Sequence, residues 1–216
     1  MIRKNIDKKE ATLSDSQSLI TQLSPTAMKE SLALFWQEID GLAQRLGLDL
    51  KHLKADHLAM RINDQSVAEH VHQAWLNEGK QISNAIINGR PIIVIQLDSP
   101  LQIANQKIDC LELPYPSDKT YPHQGWEHVE FVVPSDAKTT EQLLEDVKVT
   151  FPLMAKNWPK LDELGIKVKL SSPKAEAERL ANPTIAFKHN GVCIKLHPHT
   201  LQAVIKSENA DDTHLT

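Results

Sequence analysis

The sequence predicts an α+β fold built from two tandem βαβββ modules behind an N-terminal helical extension, and three observations carry that expectation. Two segments, Asp56-His57-Leu58-Ala59-Met60-Arg61-Ile62 and Glu127-His128-Val129-Glu130-Phe131-Val132-Val133, pair acid with acid, His with His and apolar with apolar. Each is followed by a helix-period segment and then by strand-like runs. Asn88-Gly89 and Asn190-Gly191 then mark one hairpin turn in each half.

The elements follow in order. Residues 1–24 are polar with little periodicity, which predicts a disordered N-terminus. From Ser24-Pro25-Thr26, Leu32, Phe35, Trp36, Ile39, Leu42, Ala43 and Leu46 recur at helical spacing up to Gly47. This helix and the first module occupy 25–114: a strand at 57–62, a helix at 66–77, strands at 81–86 and 91–97 across Asn88-Gly89, and a strand at 107–113 stopped by Pro114. The helix at 66–77 is expected to turn Val67, His70, Val71, Ala74 and Trp75 inward. Pro116 and Pro122 interrupt regular structure, so 115–125 reads as a linker. The second module, 126–205, repeats the order with a strand at 126–133, a helix at 139–149 and strands at 166–170, 184–188 and 192–197. Residues 206–216 read as a mobile tail.

Composition narrows the function. The 216 residues carry a formal charge of −4 with no basic stripe, which argues against nucleic acid as a partner. The longest apolar stretches, such as Pro91 to Ile95, are far short of a membrane span, and the N-terminus lacks a secretory apolar region. A soluble cytoplasmic chain, monomer or homodimer, is expected. Cys110 and Cys193 are too few and too isolated for a disulfide framework. Phosphate-loop, nucleophile-elbow, HExxH and CxxC patterns are missing.

Strand alternation turns Leu58, Met60 and Ile62 to one face, and Val129, Phe131 and Val133 likewise. The opposite face then carries His57 and Arg61 in one half and Trp126, His128 and Glu130 in the other, a polar set that a plain core would not choose. His57 and His128 are therefore candidate metal ligands, with Glu112 as a helper carboxylate from the strand that ends the first module. Two imidazoles and a carboxylate with open positions suit zinc, manganese, iron or nickel. The slot that matches Glu112 in the second module holds Lys195, an ammonium that cannot ligate while protonated. His197, two residues on, can replace it; otherwise three protein ligands remain, or Lys195 and Arg61 hold an anion without metal. Glu130 is placed either as an acid or base beside His128 or as a partner of Arg61. Asn88, Arg90, Tyr121, Trp126 and Lys174 are candidate ligand contacts, with turn chemistry and linker packing as the alternative explanations.

Ala55-Asp56-His57, Ile87-Asn88-Gly89-Arg90-Pro91, Glu112-Leu113-Pro114, Tyr121-Pro122-His123, Gly125-Trp126-Glu127-His128, Ser171-Ser172-Pro173-Lys174, Asn182-Pro183-Thr184 and Ile194-Lys195-Leu196-His197-Pro198 closely resemble the bacterial YecM family over about residues 30–205. That family resembles the vicinal oxygen chelate superfamily, which includes glyoxalase, extradiol dioxygenases and fosfomycin resistance proteins. The resemblance implies paired modules forming an incomplete barrel around a divalent cation. It also implies ligands from the first and last strand of each module, here His57, Glu112 and His128 with Lys195 or His197 fourth. Lys195 departs from the full glyoxalase-type set. The functions expected are a metal-dependent isomerase, lyase or oxygenase acting on a small oxygen-rich or anionic molecule, or a module that binds such a ligand, or a metal, without chemistry.

Overall fold

The computed structural model describes residues 15–172 and 180–209. Helix α1 covers residues 15–22, so the polar N-terminal stretch is ordered at least from residue 15, against the expectation of disorder through residue 24. Its few apolar side chains suffice because Leu19 and Ile20 pack against the core and Leu23 is buried. Helix α2 (Pro25–Leu46) starts where Ser24 accepts a hydrogen bond from the Ala27 amide, with Pro25 in the first turn. It stops at Gly47, whose φ of 81° closes the last turn. All seven apolar side chains read at helical spacing are buried.

The strands are β1 (Lys54–Arg61), β2 (Gly79–Ser83), β3 (Ile86–Ile87), β4 (Arg90–Ile103), β5 (Gln106–Pro114), β6 (Gly125–Val132), β7 (Lys167–Ser171), β8 (Thr184–His189) and β9 (Val192–His197). They form one mixed sheet in the order β2-β4-β5-β1-β6-β9-β8-β7, with β3 added on β4. In each module the last strand lies parallel to the first, β5 on β1 and β9 on β6. The modules join where β1 runs antiparallel to β6. The order thus mirrors itself about the β1–β6 seam, the paired-module architecture that the vicinal oxygen chelate resemblance implies, open between its edge strands β2 and β7.

Helices cover one face. Helices α2, α3 (Gln65–Trp75) and α4 (Thr140–Thr150) bury Leu58, Met60, Val129, Phe131, Ile93, Ile95, Ile194 and Leu196. In α3 the buried residues are Val67, Ala68, Val71, His72 and Trp75, so His70, expected inside, is exposed. Both Asn-Gly turns form: Asn88 and Gly89 have φ of 52° and 78°, Asn190 and Gly191 of 48° and 90°. A third two-residue turn, at Ala104-Asn105, joins β4 to β5 and replaces the loop expected between residues 97 and 107. Pro100 is accommodated where the β4–β5 register shifts between Gln96 and Leu101.

Two further elements escaped the sequence reading. Helix α5 (Pro152–Asn157) fills the passage from α4 to β7. Helix α6 (Leu201–Asn209) extends into the stretch expected to be a mobile tail and lies on the cleft side of the sheet, opposite α2, α3 and α4. It is held there by tertiary contacts: the Leu201 amide donates to Asp56 Oδ2 at 2.8 Å, and Gln202 Nε2 donates to Gln96 Oε1.

Candidate metal centre

Two β-bulges build the site. Between Ala55 and His57, β1 advances two residues while β6 moves only from Phe131 to Glu130. Between Trp126 and His128, β6 advances two residues while β1 moves only from Met60 to Ala59. The extra residues are Asp56 and Glu127, the acids that precede the two histidines. In a regular strand an acid and its neighbouring His face opposite ways; here each acid turns onto its own imidazole. Asp56 Oδ2 lies 3.0 Å from His57 Nδ1, and Glu127 Oε2 is hydrogen-bonded to His128 Nδ1. With both Nδ1 atoms engaged, both Nε2 atoms face the hollow at the module seam.

His57 Nε2 lies 3.4 Å from Glu130 Oε1 and 3.8 Å from Glu112 Oε2. His128 Nε2 lies 3.1 Å from Glu130 Oε1 and 4.0 Å from Glu112 Oε1. One donor atom from each of His57, Glu112, His128 and Glu130 falls within 4.8 Å of all the others. The imidazoles are sealed, with His57 at 2% and His128 at 0% exposure. His57 Nε2 has no hydrogen-bond partner among the described residues, a costly orphan unless something else occupies the centre. Two imidazole nitrogens and two carboxylates around an unsatisfied point fit a divalent cation.

The cations nearby are already committed. Lys195 Nζ donates to Glu130 Oε1 at 2.6 Å and lies 3.0 Å from His128 Nε2. Arg61 pairs with Glu127 at 3.3 Å rather than with Glu130, and its guanidinium stands 5.3 Å from the Tyr121 ring centroid. Lys188 donates to the other Glu127 oxygen at 3.0 Å. Burial pushes the carboxyls of Glu130, Glu112, Glu127 and Asp56 upward, but the surrounding cations and hydrogen bonds outweigh it and hold all four below the usual range. For His57, burial is outweighed by the charge of Glu130 and the bond to Asp56, which raise it to about 10. Burial lowers His197. The Cys110 and Cys193 thiols are buried and pushed up to about 12, so neither is an activated nucleophile.

Of the residues singled out by sequence, His57, His128, Glu112 and Glu130 meet at one point. His197 falls beside it, in a second group with Asp56 and His57: its Nε2 is 3.8 Å from Asp56 Oδ2 and 3.9 Å from Glu130 Oε2. Lys195 reaches the centre. Asn88, Arg90 and Tyr121 line a cleft of about 810 Å³ that opens from the centre, one side of it formed by Leu201, Val204 and Ile205 of α6. Trp126 does not. The bulge at Glu127 turns its indole to the helix side, where Nε1 donates to the Met28 carbonyl at 2.9 Å and the ring packs on Phe35 and Trp75. Lys174 lies outside the described residues. Sequence reasoning missed Asp56 and Glu127 as orienting groups, although the repeated acid-His dipeptide was the available signal. It also missed Lys188 and α6, which only the fold brings to the cleft.

The sequence model of the YecM protein family matches residues 24–208. The chain belongs to the YecM family. The family's "Protein YecM" from Escherichia coli is 38% identical over 183 residues, covering 83% of this chain and 91% of that one. An uncharacterized protein from Haemophilus influenzae is 36% identical over 187 residues, 84% of this chain and 93% of that protein. A solved structural-genomics structure, Protein EC4020, is similar at 33% identity with a TM-score of 0.68, over 87% of this chain and 95% of that chain. No helix among the described residues is long and apolar enough to cross a membrane.

Proposed function

We propose that this chain holds a divalent cation through His57, His128 and Glu112, with Glu130 at its edge, and offers it to a small oxygen-rich, anionic ligand in the cleft. The observation that carries the reading is the convergence of both acid-backed imidazoles on one point with Glu112 and Glu130, all four donor atoms within 4.8 Å of one another. A cation bound there would supply open positions for neighbouring ligand oxygens and stabilise negative charge developing on them. Asp56 and Glu127 fix the imidazoles. Arg61, held by Glu127 and standing at Tyr121, presents positive charge to the cleft. Glu130 is the acid or base, and its basicity is set by Lys195, because a carboxylate ion-paired at 2.6 Å accepts a proton poorly until that ammonium withdraws.

Metal analysis of untagged wild-type protein, purified without chelator, beside His57→Ala and His128→Ala, tests the reading. The wild type is expected to carry about one equivalent and each variant about tenfold less or lower. Equal metal in all three overturns it. The Lys195–Glu130 pair supports a second reading, a metal-free cleft that binds an anion without chemistry. A metal-free wild type that still binds carboxylates would favour that alternative.

A further inference from the structure

We infer that Lys195 is a resident counter-cation that competes with the divalent ion for Glu130 and His128, and that an oxyanion of the ligand draws it out into the cleft. The inference rests on the metal-binding reading above and names both the residue that sets occupancy and the chemical class of the co-ligand.

The asymmetry of the two modules is the starting point. In the first module Glu112 sits opposite Ala59; at the equivalent rung of the second, Lys195 sits opposite Glu130. The second module thus adds an acid and a base together, as an ion pair. The base does not stay at the periphery: its Nζ lies 3.0 Å from His128 Nε2, the lone pair a metal would use, and 2.6 Å from Glu130 Oε1. An ammonium and a divalent ion cannot share those two atoms. Held a few ångströms apart in a partly desolvated site they would repel by an amount equivalent to several powers of ten in affinity.

Lys195 has an exit where its partners have none. Its side chain is 23% exposed against 9% for Glu130 and 0% for His128, and it lines the cleft on a flexible four-carbon stem. Glu127 cannot receive it, being held by Arg61 and Lys188. An ammonium displaced outward enters a cleft whose other acids are Asp118 and Glu208 besides Glu112, and a ligand oxyanion is the counter-ion that can stand between it and the metal. A carboxylate or other oxyanion supplies one while its remaining oxygens face the metal. Metal and anion then bind with positive cooperativity through Lys195.

Zinc affinities measured by chelator competition for the wild type, Lys195→Met, Lys195→Gln and Lys195→Arg, each with and without sodium propionate, test this. Both neutral variants are expected to bind zinc at least about tenfold more tightly than wild type and to gain less from propionate than wild type does. Lys195→Arg should stay weak, and wild-type affinity should rise as propionate is added. Neutral variants that bind no tighter than a zinc-binding wild type overturn the competition and leave the metal reading standing. Wild-type affinity unmoved by propionate overturns the role of the anion. Absence of zinc binding in all four proteins removes the metal reading and this inference with it. Agreement between Met and Gln, which differ in hydrogen bonding to Glu130, separates charge from packing.

Discussion

At the residue scale, the site depends on which nitrogen of each histidine is free. Asp56 and Glu127 occupy Nδ1 and so present Nε2 to the centre, and Asp56 also receives the Leu201 amide that anchors α6. Asp56→Asn and Glu127→Gln keep the shape of the acid but lose its charge. Each is expected to weaken zinc binding by about 10- to 100-fold, read by the same chelator competition. Unchanged affinity in both would mean that the acids hold the bulges together and do not tune the ligands. This layer was only half legible in sequence. His57 and His128 stand out because the repeat aligns them, Glu130 because alternation puts it on the face of His128 and Glu112 because it lies on the strand that ends the first module, whereas the role of each preceding acid depends on a bulge that alternation does not anticipate.

At the element scale, the bulges reassign faces. Trp126 was expected beside His128 and Glu130, and strict alternation would have put it there. The extra residue at Glu127 inverts the strand, and the indole becomes part of the Phe35–Trp75 cluster. The hairpin turns, by contrast, were readable because Asn-Gly suits positive φ at both positions. Gly191 has φ of 90° and a methyl group there would lie 3.4 Å from His123 Cδ2, while Gly89 at φ 78° has open space around it. Gly89→Ala should therefore cost about 1 kcal/mol from the backbone alone, and Gly191→Ala more than that. Urea unfolding with an unchanged m-value checks both; equal losses would show that His123 yields freely.

At the scale of the whole molecule, the centre concentrates charge at the seam on which both modules depend. Asp56, Glu112, Glu127 and Glu130 have folded pKa values below their unfolded ones. The unfolded chain then binds more protons, so the stability these acids contribute is complete above the ordinary carboxylate range and lost as pH falls through it. His57 works in the other direction: raised from 6.5 to about 10, it stabilises fully below 6.5 and loses that contribution as pH rises through about 10. Burial lowers His197 and His72 from 6.5, so they cost stability as pH falls below that value, and chelator-treated protein should accordingly be most stable near pH 6.5 and weaken on both sides, measured by urea midpoints from about pH 4 to about pH 10. A midpoint that climbs steadily into alkaline pH would show that His57 is neutral in the fold.

The sequence by itself determined the doubled module, the helices with strong periodicity, the two Asn-Gly turns and the matched pair His57 and His128, because each is written in local spacing or in the repeat; the fold is what brings Glu130 to the centre and sets His197, expected as the fourth ligand, beside it. Tertiary structure alone decided that α1 and α6 form, since short helices with few apolar residues gain most of their stability from what they pack against. It alone decided the register of β1 against β6, and with it the bulges, the inward turn of Asp56 and Glu127 and the outward turn of Trp126. And it alone placed the Lys195 ammonium against Glu130 and His128, because a long side chain finds its partner through space and not through its position in the chain.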